Sequence, residues 1–118
     1  MSLALSLLPF EDVYGSRSSY SVLSCNLGGR LYDVIHPLPE QAPVPEMFMS
    51  HMSREGGDDT HFGITKRDGD GELVQCLPAL VLLRVKDNEF VQSNAKNRAV
   101  WAYLAQLPPE TPVALYWH

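Results

Sequence analysis

Cysteine is scarce in this chain. Cys25 and Cys76 are the two in 118 residues, too few and too far apart for a disulfide framework or a four-ligand zinc site. Two reduced, buried thiols in a cytoplasmic protein are the expectation. Basic charge is short as well: nine Lys and Arg face fourteen Asp and Glu, for a formal charge of -5. The general attraction to phosphate that drives non-specific nucleic-acid binding is therefore missing. The densest basic stretch, Arg84, Lys86, Lys96 and Arg98, is interrupted by Asp87 and Glu89 and reads as a solvated face. Nucleic acid is not expected as a partner.

No apolar run reaches the length of a bilayer-spanning helix, so no membrane association is expected. The opening MSLALSLLPF lacks a basic leader region and is cut by Pro9, and the VLSC at 22–25 lacks a preceding apolar run. Neither is read as an export signal. A P-loop, a dinucleotide-binding glycine pattern and a C-x-x-C are all missing, which removes the readily recognised nucleotide, cofactor and redox classes and leaves open enzymes whose sites are assembled from distant residues; no G-x-S-x-G nucleophile elbow occurs either. No cofactor is expected. Without repeats, low-complexity tracts or a linker, residues 1–118 read as one globular domain, long enough to bury roughly 65% of the surface its unfolded chain would expose.

What is present is mostly strand pattern. Leu3, Leu5 and Leu7 alternate with Ser2, Ala4 and Ser6, the period of a strand with one buried face. Gly28-Gly29 between SYSVLSCNL and RLYDVIHPL predicts a tight hairpin in which Cys25 lies across from Tyr32 and Leu23 from Val34. Four prolines, Pro37, Pro39, Pro43 and Pro45, then open a long excursion, with a short helix expected from Pro45 to about Arg54. HFGITK and ELVQCL flank RDGDG as a second hairpin. ALVLLRVK is short enough to be helix or strand. Its β-branched residues and the Asp87-Asn88 pair favour a strand pair over 79–92. Residues 94–107 form a helix, capped by Ser93 or Asn94 and stopped by Pro108-Pro109. PVALYWH closes the chain as a strand. The expected fold is α+β: a mostly antiparallel sheet of about five to seven strands from successive hairpins, with one principal C-terminal helix on one face.

Three constellations invite chemistry. Ser21, His36 and Asp33 lie close in sequence, but in the predicted hairpin Asp33 emerges on the face opposite His36, so no triad assembles. DGDGE at 68–72 begins like a calcium loop, yet Leu73 stands where the glycine is needed and Ala79 where the bidentate glutamate is needed; a hairpin turn explains it. GGDDTHFG at 56–63 gathers Asp58, Asp59 and His61, with His51 nearby. This is the basis for an alternative reading as a small hydrolytic or metal-dependent enzyme, although no H-x-x-x-H spacing occurs.

MFMSHM, residues 47–52, holds every methionine but the first. Thioether and imidazole suit Cu(I), but a helix from Pro45 would turn Met47 and His51 away from Phe48 and Met52. Methionine is also an adaptable filler of cores and of contact surfaces. The favoured reading is a small binding or interaction module without catalytic residues or a metal. Its ligand or partner surface is built from the excursion 45–62 and nearby aromatics: Met47, Phe48, Met49, His51, Met52, His61, Trp101, Tyr116 and Trp117. The expected partner is a protein or a small apolar ligand, and a homodimer is one form such contact could take.

Overall fold

The computed structural model describes residues 4–12, 17–19, 22–44, 68 and 71–118. The fold is α+β with an antiparallel sheet. Its strands are β1 (Leu5–Asp12), β2 (Arg17–Ser19), β3 (Leu23–Cys25), β4 (Ala42–Pro43), β5 (Gln75–Pro78) and β6 (Pro112–Trp117). The order across the sheet is β2-β1-β6-β5-β4, with β3 also pairing β1. The last strand is thus central, clasped between the first and the fifth: Leu7 pairs Leu115, which in turn pairs Gln75.

Period-2 alternation sorts the strands' side chains between two buried layers. Leu5, Leu7, Leu77, Val113, Leu115 and Trp117 join one core, while Leu8, Phe10, Cys76 and Ala114 join a second, smaller one with Val44 and Val74. All helices among the described residues lie on the first side. These are α1 (Gly28–Ile35), α2 (Ala79–Leu83), α3 (Glu89–Gln92) and α4 (Ala95–Leu104), which contribute Leu31 and Ile35, Val81 and Leu82, Val91, and Val100, Trp101 and Leu104. The helical layer is therefore shared among several short helices rather than resting on the C-terminal one alone.

Two expectations fail here. Gly28-Gly29 makes no hairpin: β3 ends at Cys25 and pairs Leu5 instead of Tyr32, and α1 starts at Gly28. The winning signal is the i, i+4 pair Leu31 and Ile35, both fully buried, which a helix gathers on one stripe and a strand would have set on the outer face. The chain enters α1 through Leu27 in the left-handed region, at φ 58°.

Residues 79–92 are also helical, not a strand pair. Pro78 ends β5, and the first amides of α2 find acceptors outside the helix, Ala79 N–H on Thr111 O at 2.9 Å and Leu80 N–H on Pro109 O at 2.9 Å. Asn88, taken from sequence as a turn residue, is the cap of α3, its side chain accepting from Phe90 N at 2.9 Å. Asn94 caps α4 as the sequence predicts, accepting from Asn97 N at 2.9 Å. The Trp101 indole N–H donates to Leu82 O at 2.9 Å and ties α4 to α2, and the Arg30 guanidinium lies 5.8 Å from the centre of the Phe90 ring, linking α1 to α3.

Candidate functional site: a cleft between α1 and the sheet

At the C-terminal end of α1 the chain leaves a cleft of about 540 Å³, within the size range of small-molecule pockets. Tyr32 comes from α1 and His36 is the cap residue that follows its last turn, and their rings stack with centroids 4.4 Å apart and planes 21° from parallel. Trp117 comes from β6 and meets Tyr32 edge to face, at 5.0 Å and 74°. Leu115 and Gln75, neighbours across the β5–β6 ladder, line the same cleft.

Gln41 fixes the helix end. Its side-chain amide donates to Ile35 O at 3.0 Å and to His36 O at 2.8 Å, satisfying carbonyls that α1 leaves without a partner in the helix. With those donors spent inside the protein, the carbonyl oxygen is what Gln41 has left to present.

Asp68 and Glu72 complete the cleft from a tight turn. Asp68 N–H donates to Glu72 O at 2.8 Å, Gly71 N–H to Asp68 O at 3.1 Å, and the Asp68 carboxylate accepts from Glu72 N at 3.1 Å. Gly71 sits at φ 82°, a conformation that glycine adopts without strain. Asp68 is buried and Glu72 exposed. Asp68 and Glu72 are the formal charges among the described lining residues, where no Lys or Arg appears. The C-terminus of α1 adds the negative end of a helix dipole.

The aromatic residues singled out from sequence are separated by the fold. Trp117 lines the cleft, only 6% exposed. Trp101 is a core residue, its one polar atom already bonded to Leu82. Tyr116 projects from the other side of β6, where its ring lies 5.6 Å from that of His118. His118 in turn meets the Ser6 hydroxyl at 3.0 Å, a polar contact that closes this end of the β1–β6 pair. Met47, Phe48, Met49, His51, Met52, Asp58, Asp59 and His61 lie outside the described residues, as do the short helix expected from Pro45 and Ser21 of the rejected triad.

Sequence reasoning missed Tyr32, Gln41 and Gln75, and it weighed His36, Asp68 and Glu72 only in constellations that it set aside. The signal was the spacing of Tyr32 and His36, which brings two rings together on a helix and keeps them apart on a strand.

Cys25 and Cys76 are both free. Burial pushes the Cys25 thiol from its ordinary 9.0 up to about 12, partly opposed by the Lys96 ammonium, and burial raises Cys76 as well. Neither is the thiolate that a nucleophile or a metal ligand needs to be. Among the described residues no three His, Cys, Asp or Glu side chains gather as a metal site, and no helix is long and apolar enough to cross a membrane. No protein-family model, curated protein or solved structure matches the chain.

Proposed function

We propose that the protein is a small binding module and that it takes its ligand in the cleft between α1 and the sheet. The observation that carries this reading is the convergence of three rings, Tyr32, His36 and Trp117, on one cavity of about 540 Å³ that also holds amide and carboxylate groups. A concave site of this size with placed polar groups is a usual place for a ligand, and here Gln41, Asp68, Glu72 and Gln75 line it beside the rings. Two free cysteines whose thiols stay protonated support a reducing cytoplasm as its setting. The excursion 45–62, with its methionines, is the proposed surface for a protein partner or a second copy of the chain.

A thermal-melt screen with a chemically diverse set of small molecules tests the reading. A ligand present at 100 times its dissociation constant stabilises the folded state by about 2.7 kcal/mol, which is several degrees for a domain of this size. True hits lose their effect in Tyr32→Ala, and His36→Ala weakens them. A set in which no compound raises the melting point, or in which hits act equally on Tyr32→Ala, would overturn it.

A further inference from the structure

We infer that Trp117 selects the ligand of this cleft: its indole N–H donates to a carbonyl oxygen, so the ligand is a neutral, carbonyl-bearing compound with an apolar body. The inference rests on the proposed binding role. A buried tryptophan ordinarily finds an acceptor for its one polar atom, and Trp101 has found Leu82 O at 2.9 Å. Trp117 is nearly as deeply buried, 6% exposed against 3%, yet its N–H has no acceptor among the described residues. Nor is that N–H walled in. Among the described residues, the side-chain atoms shut away from solvent without a partner are Glu40 Oε1 and Asn94 Nδ2, and the Trp117 nitrogen is not one of them. It therefore opens onto free space, and the space that Trp117 borders is the cleft.

The neighbours narrow the kind of acceptor. Leu115 lies two positions before Trp117 on the same face of β6 and pairs Gln75, so an apolar side chain and an amide adjoin the indole. Those amides offer little to a charged oxygen. Gln75 Nε2 donates to Leu73 O at 3.4 Å, and Gln41 has spent both its donors on Ile35 O and His36 O. A carboxylate brought here would exchange its hydration for one neutral donor, a poor trade. A carbonyl oxygen needs one good donor, which the indole supplies, while Leu115 and Leu73 take the apolar body.

The probes are acetophenone and ethylbenzene, which share a body and differ in the carbonyl, compared by NMR titration of the full chain and of Trp117→Phe. In the parent, acetophenone moves the Trp117 indole proton downfield along a saturating curve, and ethylbenzene does not. Trp117→Phe keeps a ring and removes the donor, so it weakens acetophenone about 3- to 10-fold more than it weakens ethylbenzene, the size of one neutral hydrogen bond. Comparing the two probes cancels what the substitution does to packing, and the parent titration stands on its own should the variant fail to fold. Equal weakening of both probes would overturn the assignment. So would an indole proton that acetophenone leaves at high field, the mark of an N–H turned onto the Tyr32 ring. Binding of neither probe, where other compounds do bind, would overturn the ligand class. A cleft that takes no compound at all would instead remove the binding role itself.

Discussion

The side-chain amide of Asn97 holds the backbone of Asn26 at both ends, its Oδ1 accepting from Asn26 N at 2.7 Å and its Nδ2 donating to Asn26 O at 2.9 Å. The second Nδ2 hydrogen goes to Phe90 O at 2.8 Å. Asn97 is fully buried in the first turn of α4, and these bonds fasten the β3–α1 junction to α3. That junction sets where α1 begins, and α1 carries Tyr32 and His36 into the cleft.

Removing this amide should be costly. Asn97→Ala strands three backbone groups, each worth about 1–3 kcal/mol if left unpaired, and water entering the gap recovers part of that, so a loss of about 3 kcal/mol is expected. Asn97→Asp should be worse, since a buried carboxylate would face two carbonyl oxygens. Urea unfolding checks both, and an Asn97→Ala midpoint close to that of the parent would show that the bonds do not hold the junction.

Leu27 is strained where it stands. A left-handed backbone costs an L-residue about 1–2 kcal/mol, and the side chain, 46% exposed, recovers little by burial. Leu27→Gly removes that cost against a loss of roughly 0.5–1 kcal/mol from the freer unfolded chain. A gain of about 0.5 kcal/mol and a melting point a few degrees higher are expected. Destabilisation would mean that Leu27 packs more than its exposure implies.

Cys25 gives a pH signature. Its folded pKa lies above its ordinary value, so the thiol contributes its full stability below pH 9.0 and loses it as pH rises toward about 12. Cys25→Ala removes this dependence. The stability gap between parent and variant, measured by denaturant unfolding, should therefore narrow from pH 7.5 to pH 10.5. In the native state at pH 7.5 both thiols should react slowly with a disulfide reagent. A gap that widens with pH, or prompt labelling of Cys25, would contradict the assignment.

The parts of the fold that were legible in sequence are those where one periodicity stood unopposed. Leu5 and Leu7 in β1, Val113, Leu115 and Trp117 in β6, and α4 between the Asn94 cap and Pro108-Pro109 occur as their patterns predict. Where two signals competed, the local one misled. Gly28-Gly29 is a strong turn dipeptide, yet Leu31 and Ile35 reach the core only from a helix, and burial of two large side chains outweighs a turn preference. Asn88 was visible as a punctuating residue, but whether it turned a hairpin or capped a helix depended on Val91, whose burial on the helical layer no short window reveals.

The same error hid most of the cleft. Positions four apart face the same way on both a strand and a helix, but the distance between them falls from roughly 13 Å to about 6 Å. Reading 30–36 as a strand therefore separated Tyr32 from His36, and only Trp117 of the cleft was picked out in advance.

The chain has two tryptophans, and they make the central claim directly measurable. Trp117 lines the cleft, whereas the Trp101 indole N–H is locked onto Leu82 O in the core. Each gives its own indole signal in a nitrogen-correlated NMR spectrum of the full chain. Titration with a compound that raises the melting point should move the Trp117 signal along a saturating curve and leave the Trp101 signal where it is. Both signals moving together, or the Trp101 signal moving alone, would contradict the account and place binding somewhere other than the cleft.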